Sequence, residues 1–283
     1  MVPLGDPLWE TLPDARRSPG TATRLLALGT RWTKDAAEDF EWDVIGTSDP
    51  SPAAIASVPH LLSMTSGLHG KRAAKGAGTL LALIFIRLST TSVIARDAER
   101  NPEPIRGAKA IPPKRWQDAL ASDVARRLET DLTQVVPGVR DAFQMALTSS
   151  TGEVATTLLA GLAASWSEHD LARALDMTED GVLRCTACGD CCLWLVFPGT
   201  VAVYPDWDEG PRSPENLDLK DHAPNRAAGR IIPNLGAALS VGARAVWTAA
   251  DREDTRNAWD LVRHMLGKFT CPRCGAGQTP NLI

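Results

Sequence analysis

The longest periodic pattern of hydrophobic positions lies between residues 116 and 135. Apolar residues recur there at spacings of four and three, with Arg126, Arg127 and Glu129 off the apolar stripe. This spacing predicts one amphipathic helix, and Pro137 with Gly138 is expected to end it. The stripe consists of Trp116, Leu120, Val124, Leu128, Leu132 and Val135.

Weaker apolar patterns predict further helices before and after this stripe. One stretch, residues 80–95, fits either a buried helix or, because of its β-branched content, a strand near residues 83–88. The other predicted helical stretches are residues 53–64, 139–148, 153–165, 167–175 and a helix pair within 237–266, with Gly267 as its C-terminal stop.

Three parts of the chain depart from the helical pattern. Residues 1–50 are rich in Pro, Gly and Asp and are expected to be irregular. Residues 193–197 and 201–204 are apolar runs on either side of a Pro-Gly turn, which predicts a β-hairpin. Residues 205–236 are polar and predict mostly loop.

Charge and composition exclude some classes of protein. The net charge is −4, which does not suit a protein that binds polyanions over its whole surface. Residues 71–140, however, carry 13 Lys and Arg against 7 Asp and Glu, so this segment is either a local anion-binding surface or a solvated helix face. The apolar run 79–86 is too short to span a bilayer and the N-terminus does not resemble a signal peptide, so we expect a cytoplasmic protein without a membrane partner.

Two cysteine pairs carry the strongest chemical signal. The motif CTACG at residues 185–189 and the motif CPRCG at residues 271–275 share the spacing Cys-x2-Cys-Gly. Two such turns supply four thiolates, the ligand set that Zn²⁺ prefers in tetrahedral structural sites. The sequence therefore predicts that Cys185, Cys188, Cys271 and Cys274 hold one structural zinc ion.

The long separation of the two motifs shapes the predicted fold. Between Cys188 and Cys271 lie 82 residues, far more than a compact zinc ribbon contains. The fold class predicted is therefore mainly α with a small β zinc ribbon (α+β), in which a helical insertion splits the ribbon. We divide the chain into an N-terminal region (1–110), a helical domain (111–184) and a zinc-clamped module (185–283).

Cys191 and Cys192 leave a second ligand set open. The string CTACGDCC at residues 185–192 resembles the signature of the small CxxCxxCC family, which is thought to chelate zinc or iron. The resemblance covers eight residues, and the later Cys-rich half of that family is not found in this chain. Cys185, Cys188, Cys191 and Cys192 can alternatively ligate an iron–sulfur cluster, or one of the last two packs under the hairpin as a small hydrophobe.

Weaker motifs suggest contacts with nucleic acid. The Gly-rich segment 67–78 holds His69, Lys71, Arg72 and Lys75, which can cradle phosphate or belong to a flexible surface link. Residues 169–184 have the spacing of a helix-turn-helix or of a plain helical corner.

The first function hypothesis is a non-enzymatic zinc-ribbon protein that binds nucleic acid, partner proteins or both, as a subunit of a larger defence or transcription complex. The second is a metal-dependent nuclease that uses Asp206, Asp218 and Lys220. The third is the iron–sulfur or redox protein described above. No catalytic triad can be assembled from the sequence.

Overall fold

A computed structural model of the protein describes residues 1–16, 20–46, 50–68, 70–100, 115–177, 180–197, 199–204, 227–234, 238–251 and 256–282. The structure confirms a mainly helical α+β fold with a small antiparallel sheet. Residues 101–114 and most of the predicted loop 205–236 lie outside the described residues.

The helices are short except for two. In chain order they are α1 Leu8–Thr11, α2 Thr21–Thr30, α3 Lys34–Phe40, α4 Pro52–Met64, α5 Lys71–Arg100, α6 Ser122–Leu147, α7 Gly152–Ser165, α8 His169–Met177, α9 Val241–Ala250 and α10 Arg256–Met265. A π-helical turn, Glu41–Ile45, continues α3, and a 3₁₀ turn, Trp116–Ala119, precedes α6.

The strands form two antiparallel sheets. The larger one has the order β1-β2-β3-β4, with β1 Asp180–Arg184, β2 Cys191–Phe197, β3 Thr200–Tyr204 and β4 Gly229–Ile231. The smaller pairs β5 Phe269–Thr270 with β6 Gly277–Gln278. Isolated bridges join Leu183 to Leu282 and Ile232 to Lys268, so the C-terminal segment lies along the larger sheet. The predicted hairpin 193–204 is confirmed as β2 and β3.

Helix α5 packs against α4, α7 and α8. Residues 80–95, which fitted either a helix or a strand, are part of this helix. The alternative that residues 67–78 form a flexible surface link is wrong from Lys71 onward, because the helix begins there. The indole of Trp32 lies directly on Gly76, where a Cβ would collide with it. The small residues that suggested a loop therefore let a neighbouring element pack closely against a helix.

Two further predictions of local structure are wrong. The segment 1–50 contains three short helices, and Thr33 and Ser51 cap the helices that follow them by accepting from the N–H groups of Ala36 and Ala54. Helix α6 continues through Pro137 to Leu147 instead of ending there. Gly138 lies where Leu62 of α4 approaches α6, so packing holds both halves of the helix in place.

The second helix of the suggested helix-turn-helix is a strand. Helix α8 matches the first helix, but residues 180–184 form β1 and pair with β2. Gly181 stands opposite Trp194, whose indole occupies the space of a side chain at position 181. The corner after α8 therefore leads into the first cysteine motif, without a second helix.

One continuous hydrophobic cluster extends from Val2 to Leu282 and includes Cys185, Cys192 and Cys271. The division into three domains stays a prediction, and its boundary at residue 110 lies outside the described residues.

By length and composition, residues Lys71–Arg96 of α5 are apolar enough to span a membrane, a test that buried core helices also pass. In the most apolar window of this segment, 56% of the residues are buried.

Candidate metal centre

The two cysteine motifs form two knuckles with the same geometry. In the first knuckle, residues 185–190, the N–H of Cys185 donates to the Asp190 carbonyl (2.8 Å) and the N–H of Gly189 donates to the Cys185 carbonyl (2.9 Å). The second knuckle, residues 271–276, repeats both bonds from Cys271 to Ala276 (2.9 Å) and from Gly275 to Cys271 (3.0 Å). Each knuckle therefore closes the tip of one hairpin, β1–β2 or β5–β6.

Glycine is required at the fifth position of each knuckle. Gly189 has φ of 76° and Gly275 has φ of 74°, the left-handed region that residues with a Cβ adopt at a cost. This explains why both motifs read Cys-x2-Cys-Gly.

The four sulfur atoms of the knuckles form one compact group. All four lie within 4.8 Å of one another, and they are the group of metal-ligating side chains that the described part of the chain brings together. Two separations between the knuckles are 3.6 Å from Cys185 Sγ to Cys274 Sγ and 3.9 Å from Cys188 Sγ to Cys271 Sγ. These distances exceed a disulfide bond by more than an ångström, and they match the edge of about 3.8 Å of a tetrahedron with metal–sulfur bonds of about 2.3 Å. The four cysteines can thus hold a metal ion.

Burial differs between the two cysteines of each knuckle in the same way. Cys185 and Cys271 are 1% exposed, whereas Cys188 and Cys274 face the solvent. Burial raises the pKa of the Cys185 thiol, but the N–H groups of Cys188 and Ala187 outweigh burial and lower that pKa to about 6. The Ala187 N–H lies 3.4 Å from Cys185 Sγ. The backbone of the knuckle therefore favours the thiolate, the form that binds metal.

Polar side chains join the two knuckles outside the sulfur group. Gln278 Oε1 accepts from the Thr186 N–H (2.8 Å) and from the Thr186 hydroxyl (2.7 Å). Arg273 Nε lies 3.0 Å from Asp190 Oδ2. Gln278 also contributes to the lowered pKa of Cys185. The knuckles are thus aligned by one polar and one ionic contact in addition to any bound ion.

Cys191 and Cys192 lie outside the four-sulfur group. Cys192 is 1% exposed and stands opposite Leu183 in the sheet, within the main hydrophobic cluster. Burial, followed by the neighbouring Cys271 charge, raises its pKa to about 12, so it is a neutral thiol at physiological pH. The burial of Cys192 matches the expectation that one of these two cysteines packs as a small hydrophobe. Among the described residues, the sulfur atoms of Cys185 and Cys188 are grouped with those of Cys271 and Cys274, and not with those of Cys191 and Cys192.

The other candidate residues fall into two groups. Lys71, Arg72 and Lys75 are exposed within the first five residues of α5, the cationic turn, and His69 lies outside the described residues. Asp206, Asp218 and Lys220 also lie outside the described residues, so the nuclease hypothesis stays a prediction.

Sequence reasoning missed the polar residues that align the knuckles. The opposite charges of Asp190 and Arg273, one in each knuckle, are a signal that it could have used. Thr186 and Gln278 carry no such signal, because their pairing follows from how the two hairpins face each other.

Comparison with known proteins found no matching protein family, no similar curated protein and no similar solved structure.

Proposed function

We propose that this is a non-enzymatic nucleic-acid-binding protein in which Cys185, Cys188, Cys271 and Cys274 hold one structural Zn²⁺. Four thiolates complete a tetrahedral shell and leave no position for a substrate, which is the pattern of structural rather than catalytic zinc. When bound, the ion would fasten the β1–β2 hairpin to the β5–β6 hairpin. The sulfur spacing described above supports this part of the proposal.

The identity of the metal is tested by the metal content of the purified protein. We expect one zinc per chain and no visible colour, because Zn²⁺ has a filled d shell. Replacing Cys271 and Cys274 by serine should remove the zinc, whereas the matched variant Cys191→Ser should retain it. A brown protein that contains iron, or zinc retained in the double variant, would show that the proposed site is wrong.

The cationic turn of α5 carries the nucleic-acid part of the proposal. Lys71, Arg72 and Lys75 are exposed, no acidic residue occupies that turn, and none of the three forms an ion pair among the described residues. Cations destabilise a helix N-terminus because the macrodipole is already positive there. Helices α6, α7 and α8 each place an acidic residue in the first turn, whereas α2, α4, α9 and α10 do not.

A partner with regularly spaced negative charges would offset this unfavourable arrangement. Free N–H groups at the helix N-terminus and three side-chain cations together suit phosphate groups. The exposure of the turn suits a long strand that passes over it. We therefore propose the backbone of DNA or RNA as the partner of this turn.

The test is the salt dependence of nucleic-acid binding. Replacing Lys71, Arg72 and Lys75 together by glutamine should weaken binding to labelled DNA and RNA. If each cation contacts one phosphate, the slope of log K against log salt should become shallower by about 2 to 3.

A matched control removes the same charge elsewhere. Arg126, Arg230 and Arg244 are exposed and lie on α6, β4 and α9, and their joint replacement by glutamine should leave the slope nearly unchanged. Equal slopes in the wild type and the α5 variant would contradict the proposed contact. No binding of either nucleic acid at low salt would overturn the nucleic-acid part and favour a protein partner.

A further inference from the structure

Each knuckle combines one exposed cysteine with one buried cysteine. The exposed cysteines are Cys188 and Cys274, whereas Cys185 and Cys271 are each 1% exposed. Exposure decides which sulfur atoms a dissolved oxidant reaches first, because oxidation of a cysteine requires contact with its sulfur. Oxidation of this centre would therefore begin at the exposed cysteine of either knuckle.

A buried cysteine of the opposite knuckle lies close to each exposed cysteine. Cys274 Sγ is 3.6 Å from Cys185 Sγ, and Cys188 Sγ is 3.9 Å from Cys271 Sγ. A disulfide bond is about 2.05 Å long, so the two sulfur atoms of either pair need to approach each other by less than about 2 Å. An oxidised cysteine therefore has a sulfur partner within reach in the other knuckle.

Contacts outside the sulfur group hold the two knuckles against each other. Gln278 accepts two hydrogen bonds from Thr186, and Arg273 forms an ion pair with Asp190. These contacts use no sulfur atom and no metal ligand, so release of a bound metal does not break them. The sulfur atoms of opposite knuckles are therefore expected to stay close to each other while disulfides form.

We propose that the cysteine centre is a site of reversible oxidation by peroxides, in which disulfides Cys185–Cys274 and Cys188–Cys271 replace the metal as the link between the two hairpins. This inference rests on the zinc site proposed above and adds how that site is regulated. In the metal-bound form the ion joins the knuckles, and in the oxidised form two covalent bonds join them. Disulfides within each knuckle would instead leave the hairpins joined by the polar contacts alone.

Hydrogen peroxide balances each oxidation step. The Cys274 thiolate attacks one peroxide oxygen, the O–O bond breaks, and a sulfenic acid forms while hydroxide leaves. The Cys185 thiolate then attacks the oxidised sulfur, the S–S bond forms, and a second hydroxide leaves. The two sulfur atoms lose two electrons, the peroxide gains them, and two protons from solvent convert both hydroxides to water. A second peroxide oxidises Cys188 and Cys271 in the same way, and a thiol reductant reverses both steps by thiol–disulfide exchange.

Treatment of the zinc-loaded protein with hydrogen peroxide tests the inference. We expect release of one Zn²⁺ per chain, measured with a chromogenic chelator, and a mass that falls by two hydrogen atoms for each disulfide. Hydrogen exchange should stay slow in β1, β2, β5 and β6 of the oxidised, zinc-free protein, because disulfides link the hairpins. The same strands should exchange about tenfold faster or more after chelation under reducing conditions. A dithiol together with Zn²⁺ should restore the starting state.

The pairing of the cysteines is read by mass spectrometry after digestion with trypsin and an endoproteinase that cleaves before aspartate. The sequence then places the first knuckle's cysteines on peptide 185–189 and those of the second knuckle on peptides 269–273 and 274–283. We expect one species in which peptide 185–189 is linked to both of the others, and its fragmentation assigns the partner of each cysteine. The remaining two cysteines fall on peptide 190–205, which should carry no link.

The matched control Cys191→Ser should release zinc as the wild type does and give the same linked peptides. Four outcomes in a wild-type protein that holds zinc would each overturn this inference and leave the proposed function standing. These are no zinc release by peroxide, a direct link between peptides 269–273 and 274–283, a link to peptide 190–205, and fast exchange in the oxidised protein. Absence of zinc from the purified protein would instead overturn the proposed function and this inference together.

Discussion

At the scale of single residues, Gly181 allows β1 to lie beside β2. Its cross-strand neighbour Trp194 is fully buried, and a Cβ on residue 181 would lie 2.6 Å from the indole Nε1. A side chain at this position must push the strands apart or displace Trp194, the largest fully buried side chain among the described residues. Because β1 leads directly into Cys185, such a displacement would also disturb the first knuckle.

We therefore expect Gly181→Ala to lower the free energy of unfolding by about 1–3 kcal/mol, the usual cost of overpacking a core. Urea denaturation monitored by tryptophan fluorescence measures this. Gly277→Ala is the matched control, because Gly277 lies in β6 with nothing within 4 Å of an added Cβ. Equal stability of the two variants would mean that Trp194 rearranges without cost.

At the scale of elements, α6 runs through a proline without ending. Leu128 before Pro137 and Val139 after it are both buried in the main cluster. Beyond the proline, Arg140 stacks on Trp166 at 3.6 Å and donates to the Ser165 carbonyl. Burial on both sides of the proline outweighs its local helix-breaking effect.

Because Pro137 is exposed, its replacement by alanine should restore a helical hydrogen bond without leaving a cavity. We expect Pro137→Ala to raise the free energy of unfolding by about 1–2 kcal/mol, after the greater freedom of the unfolded chain is allowed for. Chemical denaturation measures the change. Gln134→Ala, at an exposed position one turn earlier, should be nearly neutral, and a destabilised Pro137→Ala would show that the proline supports a needed bend.

At the scale of the whole molecule, the cysteine centre closes a long loop. Cys188 and Cys271 are 83 positions apart in the sequence, and helices α9 and α10 lie between the two knuckles. A covalent link across such a loop constrains the unfolded chain by about 4–5 kcal/mol, and a bound metal acts similarly while it stays bound.

Removing the metal with a chelator under reducing conditions should therefore loosen the two hairpins first. We expect faster hydrogen exchange in β1, β2, β5 and β6 and a lower Tm, with α4 and α5 affected least because they lie far along the chain from the knuckles. Adding back Zn²⁺ should restore protection. Unchanged exchange in these strands after complete metal removal would contradict a structural role for the centre.

Features set by neighbouring residues could be predicted from the sequence, whereas features set by contacts between distant residues could not. Cys185 and Cys271 could be paired from the sequence because Cys-x2-Cys-Gly describes a local turn with a positive φ. The continuity of α6 through Pro137 and the helical state of residues 71–78 could not, because they depend on Leu62 and Trp32, which approach from distant parts of the chain.

The sequence by itself determined the helical periods, the β2–β3 hairpin and the two cysteine turns, since each depends on residues within a few positions of one another. Only the tertiary structure decided that the first turn follows a strand and not a helix, that the two turns face each other with sulfur atoms 3.6 and 3.9 Å apart, and that Cys192 packs beside them as a thiol. These outcomes depend on which distant surfaces are buried together, and burial is a property of the folded chain as a whole.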